Sequence, residues 1–242
     1  MKDTDIVMYG KHAVYEVLRE RPELVKQLHV RDDVELDAAV RLPAKAKRFN
    51  GSKHIPCDVP KTATHQGMIA VLDGEGLMTP YEEWIARVTV GSRTALLLLG
   101  EVQDPHNVGA VIRSAAAFGA TAVLVPRHRQ ASVTGTVIKV SAGMAFQLPL
   151  VEIPNVNRVL EDLKTRGFFV YGLDADSSAL SLPTVTFDSP SVFVLGNEAD
   201  GLRAKTKEHC DQLLEIPIHE RCESLNASVA AACVLYAWSV QK

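Results

Sequence analysis

Residues able to do polar chemistry gather in three short stretches of this 242-residue chain. The last changes character halfway: Ile216-Pro-Ile closes an apolar strand, a charged loop follows, and from Ser224 the chain runs through Leu225-Asn226-Ala-Ser into small and apolar residues at helical density. Ser and Asn accept helix-start hydrogen bonds, and a loop pressed on the N-terminus of a small-residue helix presents backbone N–H groups and permits close approach. That suits a ligand with polar edges; an ordinary capped and buried C-terminal helix fits the same residues. Upstream, Asn107 stands at a helix start, where it can serve as the N-cap, and Arg113 follows nearly two turns on among Val, Ile, Ala and Phe. A guanidinium releases its proton only above about pH 12, so Arg113 is a poor base and a better clamp for phosphate or developing negative charge, unless it only snorkels to the surface. In the middle stretch, Gly196 and Gly201 bound a loop holding Glu198, and glycine permits backbone geometry that other residues resist.

Other chemistries fit poorly. His209, Cys210, His219 and Cys222 match no standard zinc spacing, so no metal is expected. Ser224 lacks the elbow of a hydrolase nucleophile. Cys57, Cys210, Cys222 and Cys233 show no disulfide framework and read as free thiols of a reducing compartment.

The elements that must position these residues follow from patterning. With 47% hydrophobic residues the chain can bury a proper core. No apolar run approaches a membrane span, since Ala95 to Leu99 makes a single strand. Met1-Lys-Asp-Thr-Asp lacks a signal peptide's apolar core, so a cytoplasmic location is expected. A net charge of −3 argues against wholesale polyanion binding and leaves room for local basic patches: Lys45, Lys47, Arg48, Lys53 and His54, then Arg127, His128 and Arg129. Each patch also reads as a solvated surface run.

Helical spacing runs from Gly10 to Glu20, a strand lies near Leu24 to Val30, a helix broken at Pro43 is expected over 34–49, and extended pieces follow at 55–59 and 67–72. Asp73 to Pro80 is rich in turn formers and reads as a linker whose Gly74 and Gly76 let two units shift; a short helix follows from Tyr81 to Arg87. From Thr94, apolar strands at 96–99, 122–125, 148–151, 168–172, 192–195 and 213–216 alternate with helices at 108–118, 133–142 and 156–165 and the terminal helix. Such alternation means a parallel sheet covered on both faces, with ligands outside the carboxyl ends of the strands, where all three polar stretches begin. A dinucleotide-binding fold would need Gly-x-Gly-x-x-Gly after the first strand, and Gly100-Glu-Val-Gln-Asp-Pro-His-Asn107 does not supply it. The widespread methyltransferase fold with an early glycine-rich turn is disfavoured for the same reason.

Asn107-Val-Gly-Ala-Val-Ile-Arg113-Ser-Ala, Gly196-Asn-Glu198-Ala-Asp-Gly201-Leu, and Ile216-Pro with Ser224-Leu225-Asn226-Ala-Ser228 occur in that order. Together they resemble the three signature motifs of the SpoU (TrmH-type) RNA 2′-O-ribose methyltransferases of the SPOUT superfamily. Tyr9-Gly-Lys-His12-Ala-Val and His65-Gln-Gly67 resemble the small RNA-binding domain of the bacterial members that methylate a guanosine ribose in 23S ribosomal RNA. The resemblance implies an α/β chain: an L30e-like RNA-binding domain over 1–73, a linker and short helix over 74–92, and a SPOUT domain over 93–242 with a parallel sheet and a C-terminal trefoil knot. It implies S-adenosylmethionine as cofactor, contacted largely through main chain at Gly196, Ile216 and Leu225. It also implies catalytic-site positions at Asn107, Arg113, Glu198, Ser224 and Asn226. Arg113 matches the residue placed at the 2′-hydroxyl, Glu198 the motif acid, and Asn226 a residue within reach of Arg113 or the ribose, while Ser224 reads equally well as the helix cap.

The resemblance further implies RNA as partner, neither DNA nor membrane, and a homodimer with the active site at its interface. The small, apolar helix Ala227 to Trp238 is the interface candidate. A transfer-RNA ribose methyltransferase of the same superfamily is the competing enzyme, and a non-catalytic RNA-binding or ribosome-assembly protein the competing class. The chain departs from the pattern between Lys139 and Pro149, where ribosomal-RNA members commonly carry an acid and this chain has Phe146 and Gln147. That departure bears on the target nucleotide and leaves the three motifs untouched.

Overall fold

The computed structural model describes residues 4–37, 46–50, 59, 64–176, 178–197 and 201–241. Its first part runs β1 (Asp5–Tyr9), α1 (Lys11–Glu20), β2 (Val25–Arg31), β3 (Ala46–Phe49) and β4 (Met68–Asp73). Among the described residues these strands form a sheet of order β1-β4-β2-β3, antiparallel except where β3 joins β2. The helix forms because Ala13, Val14, Val17 and Leu18 recur at helical spacing and are buried together. Gly10 makes the turn into it at φ 107°, which an L side chain rarely adopts. Strand β1 gave no signal in the sequence reading.

The helix expected over 34–49 is absent from the described residues of that span, 34–37 and 46–49. Ala46–Phe49 is a strand with Ala46 opposite Leu28, and Arg48 donates to the carbonyls of Arg31 and Val34, both at 3.1 Å, closing the turn that follows β2. Backbone pairing along the free edge of β2 outweighs a weak helical pattern. Residues 38–45 of that segment, the expected piece at 55–59 apart from Val59, and Lys53, His54 and Cys57 lie outside the described residues.

The second part continues with β5 (Thr79–Pro80), α2 (Tyr81–Ile85), β6 (Ala95–Leu99), α3 (Pro105–Ala117), β7 (Ala122–Pro126), α4 (Gly135–Val140) and β8 (Leu150–Ile153). Then follow α5 (Val156–Thr165), β9 (Phe169–Leu173), β10 (Leu180–Ser181), β11 (Ser191–Leu195), α6 (Ala204–His209), β12 (Gln212–Glu215) and α7 (Ala227–Ser239). The strands form one sheet of order β10-β12-β9-β11-β6-β7-β8-β5 with every pairing parallel. Alternate residues of β6 explain its unbroken apolar run: Leu97 and Leu99 pack with α3, α4 and α7, while Leu96 and Leu98 pack with α2 and α5. Each fully buried leucine contributes roughly 1.5–3 kcal/mol. Chain order reverses between β6 and β11, and in open α/β sheets the crevice for ligands opens at such a switch point.

The two sheets share one apolar core, in which Met8, Val14 and Leu28 meet Val133, Val137 and Phe146. Backbone meets backbone at Gly135, where a Cβ would lie 2.1 Å from the Val7 carbonyl oxygen. The turn-rich stretch after β4 is held at several points. Gly74 donates to Thr4 O at 3.2 Å, Arg21 donates to Gly76 O at 2.9 Å, and Thr79–Pro80 pairs with β8. The departure at Phe146 and Gln147 has a structural use here. Phe146 is buried in the shared core, and Gln147 Nε2 donates to Glu16 Oε2 at 2.8 Å across the contact between the two sheets. Gln147→Glu would set a carboxylate against the nearly buried Glu16, lowering stability by about 1–3 kcal/mol at pH 7. Urea midpoints should show the loss; an unchanged midpoint would contradict the contact between Gln147 and Glu16.

Candidate active site

All strands of the larger sheet aim their carboxyl ends the same way, and the three polar stretches leave from the ends of β6, β11 and β12. Backbone approach is closest where β6 and β11 finish. A Cβ on Gly100 would lie 2.0 Å from the Leu195 carbonyl oxygen, and one on Gly196 would lie 2.4 Å from the Gly201 carbonyl carbon. No side chain fits at either place. Asn197 N–H donates to Gly201 O at 2.9 Å and Gly201 N–H returns to Asn197 O at 3.0 Å, pinching the loop, with Gly201 in the left-handed region at φ 65°. Asn197 Nδ2 also donates to Glu101 O at 3.0 Å, tying the second stretch to the first. Asp174, just past β9, accepts from Leu202 N–H at 3.2 Å and from Lys207 Nζ at 2.8 Å, which fixes the far side of the same loop.

The caps differ from the expected ones. Asp104, not Asn107, caps α3: its Oδ1 accepts from His106 N–H at 2.8 Å, and Pro105 takes the first helical position, where its missing N–H costs nothing. Asn107 is therefore the third residue of the helix. Asn226, not Ser224, caps α7, its Oδ1 accepting from Ser228 N–H at 2.9 Å. With its carbonyl oxygen on the helix, Asn226 turns its Nδ2 to Asn107 Oδ1 at 2.9 Å. This bond joins residues 119 apart in sequence. Arg113 lies roughly 120° around the helix from Asn107. It is exposed and makes no ion pair or hydrogen bond among the described residues.

Gly196 and Ile216 sit half-buried just past β11 and β12, and Leu225 half-buried just before α7. Ile216 packs on the main core, while Ser224 is exposed in the loop. Glu198 lies outside the described residues. The structure thus joins Asn107 to Asn226 directly, places Gly196 at the switch point, and leaves Arg113 facing solvent. Two clefts open near this edge. One of about 260 Å³ is bordered by Gly100, Glu101, Arg129 and Arg203, and a larger one of about 690 Å³ lies between β1 and residues 130–135. Neither borders any of the nominated residues, so strand-end geometry rather than a cavity locates the candidate site.

Residues 94–236, more than half of the chain, match the model of the SpoU rRNA Methylase family. The chain belongs to the SpoU rRNA methylase family. It is 45% identical over 173 residues to the 23S rRNA (guanosine-2′-O-)-methyltransferase RlmB of Xanthomonas axonopodis pv. citri, a match covering 71% of this chain and 69% of that one. It is 35% identical over 242 residues to the RlmB of Bordetella pertussis, covering 95% of each. The fold superposes on the SpoU methyltransferase AviRb of Streptomyces viridochromogenes, solved with AdoMet, at a TM-score of 0.78 and 22% identity over 98% of this chain and 90% of that one.

Within this SpoU chain several positioning residues escaped sequence reasoning. Gly100, Asp104, Asp174 and Asn197 hold the loops through backbone contacts, and only Asp104 carried a local signal, the proline after it. Among the described residues no group of His, Cys, Asp and Glu could hold a metal ion, and no helix is long and apolar enough to cross a membrane. Burial, with Asp211 nearby, pushes the Cys210 thiol up to about 11, and its sulfur lies 3.3 Å from Thr206 O. Mass spectrometry after alkylation at pH 8 should find the exposed Cys222 modified well before Cys210; equal rates would contradict the burial.

Asn226→Ala should lose about 1 kcal/mol through the lost cap and loosen α7 against α3, read as a lower urea midpoint and faster amide exchange in the first turn of α7. Gly100→Ala should cost more, since backbone must move; an unchanged midpoint would contradict the contact with Leu195.

Proposed function

We propose that this chain is an S-adenosylmethionine-dependent enzyme that methylates the ribose 2′-hydroxyl of a guanosine in 23S ribosomal RNA. The observation that carries it is the Asn107–Asn226 bond, which brings the first and third SpoU segments together at the carboxyl edge of the sheet. The second segment leaves from the same edge at Gly196. The names of the RlmB relatives support the substrate, with the Bordetella match spanning nearly the whole chain. The glycines at 100 and 196 suit a donor held largely through main chain, because side chains are excluded where the backbone turns.

Bound there, S-adenosylmethionine would supply an electrophilic methyl group that the ribose oxygen would accept, the electron pair of the broken C–S bond remaining on sulfur. The chain must hold the donor, align the hydroxyl and let its proton go. Main chain at Gly196, Ile216 and Leu225 takes the first task. Asn226, locked by Ser228 and Asn107, presents a fixed amide for the second, and holding two reactants in line removes much of the barrier. Arg113 keeps its proton and clamps phosphate or the developing alkoxide, while the hydroxyl proton leaves to water. Glu198 and Ser224 complete the proposed site.

The proposed enzyme is a cytoplasmic homodimer. Val229, Tyr236 and Val240 of the terminal segment are 46%, 57% and 57% exposed, unusual for large apolar side chains, and a second copy would cover them. The reading also divides the chain into an L30e-like RNA-binding domain (1–73), a linker with a short helix (74–92) and a SPOUT domain (93–242). A trefoil knot in its C-terminal segment belongs to the same reading.

Labelled methyl transfer to total RNA from a strain lacking this gene, followed by mapping of alkali-resistant ribose, should label one guanosine of 23S RNA. Label in transfer RNA would overturn the substrate, and donor binding without any label would favour a binding protein. Arg113→Ala should lower the rate by roughly 10² or more while donor affinity stays close to wild type; collapse of donor affinity would make Arg113 structural. Sedimentation that finds only monomer at working concentration would overturn the dimer.

A further inference from the structure

The smaller cleft, beyond the ends of β6, β7 and β8, holds a charge arrangement that the site residues above do not use. It is lined by His128, Arg129 and Arg203, with Asn155 and Asn157 at the start of α5, and among the described residues Glu101 is the one carboxylate in its lining. Glu101 Oε1 lies 2.9 Å from Arg203 Nε and 3.9 Å from Arg129 Nη1. One acid therefore stands between two guanidiniums that arrive on different loops, one after β7 and one before α6.

The loops are braced for this arrangement. Gln130 accepts from Val102 N–H at 2.9 Å and donates to Val102 O at 2.7 Å, locking the Arg129 loop to the Glu101 loop. Asn197 holds the carbonyl of residue 101 at 3.0 Å, so the backbone there stays fixed while the side chain remains able to turn. Glu101 and Arg129 both adopt positive φ, 68° and 58°, a region that costs energy for residues other than glycine. Stability of the ion pairs is a weak reason to keep that strain. The two arginine side chains are 55% and 62% exposed, and ion pairs in contact with water contribute little to folding.

A carboxylate between two guanidiniums occupies the position that a phosphate takes in the same fork. Phosphate offers more acceptor oxygens and forms bidentate bonds with arginine, and the rigid fork suits it. We propose that this cleft binds a backbone phosphate of the RNA substrate, and that Glu101 is an internal place-holder which turns aside when the phosphate enters. The inference rests on the RNA-methylating function set out above. It adds Arg129 and Arg203 as phosphate ligands and makes Glu101 a residue that opposes weak or non-specific anion binding.

The test is equilibrium binding of a 23S rRNA transcript to the full chain at several KCl concentrations, with methyl transfer measured separately. Arg203→Gln and Arg129→Gln should each weaken binding and lower the slope of log K against log salt by roughly 0.7 to 0.9, one phosphate contact. Glu101→Gln and Glu101→Gly should strengthen binding about two- to fivefold. Opposite signs are the signature, because a merely structural ion pair would lose affinity, or nothing, from either side. Glycine suits the φ at position 101, so Glu101→Gly keeps the test decisive if an arginine variant fails to fold. Weaker or unchanged binding by Glu101→Gly overturns the place-holder. Wild-type protein that methylates RNA while all four variants bind alike overturns the site and spares the function; sign reversal without methyl transfer does the opposite.

Discussion

The carbonyl oxygen of Leu195 occupies the place where any side chain at position 100 would begin. That one exclusion governs how closely β6 and β11 finish, and these strands are the neighbours between which chain order reverses. A second exclusion, at Gly196, lets the loop to Gly201 fold back on itself. With both in place, Asn197 reaches the carbonyl of residue 101 and couples two loops that sequence separates by 96 residues. Widening the gap by a methyl group would uncouple them, so the loops of the crevice inherit their positions from two missing side chains.

Apolar packing supplies the energy of this edge and hydrogen bonds supply its register. Helix α3 lies between α4 and α7, burying Val111, Ile112 and Ala115 against Val137 and against Ala231, Val234 and Leu235. Gly109 in mid-helix costs about 1 kcal/mol relative to alanine, yet a Cβ there would lie 2.7 Å from Val140 Cβ, so glycine is what allows α4 to close in. A net hydrogen bond contributes about 1 kcal/mol, too little for the Asn107–Asn226 bond to hold α3 and α7 together. Its part is orientation: with one face of the Asn226 amide on Ser228 and the other on Asn107, neither asparagine is left to rotate freely.

What the sequence disclosed follows the range of each interaction. The parallel sheet was legible because strands covered on both faces must be apolar at every position, as Leu96 to Leu99 are, and α5 was legible because its buried face recurs locally at Val159, Leu160 and Leu163. Strands β1 and β3 were not, since each draws its stability from a partner far along the chain: Asp5 pairs with Asp73, and Ala46 with Leu28. The caps lie two or three residues from the expected ones because Asn107 and Ser224 have the right chemistry, while backbone geometry decides which residue takes the cap conformation; Pro105 is the local signal for Asp104. The site residues were readable as types and order, but the bond between Asn107 and Asn226 spans 119 positions and has no local signature.

Charge at this edge is arranged rather than accumulated. Arg127 pairs with Glu152 at 2.6 Å, Arg203 with Glu101 at 2.9 Å and Lys207 with Asp174 at 2.8 Å, so most cations around the strand ends have an acid in contact. Together with a net charge of −3, this keeps the long-range field weak. A strongly basic surface would hold any RNA, because phosphate attraction carries no sequence information. Under the proposed function the enzyme must find one ribose among many chemically equal ones, and paired guanidiniums serve that need: they release their acids only where a phosphate arrives in the right geometry. Arg113, exposed and without an ion pair among the described residues, stands outside this pattern, as a cation reserved for the reacting group would.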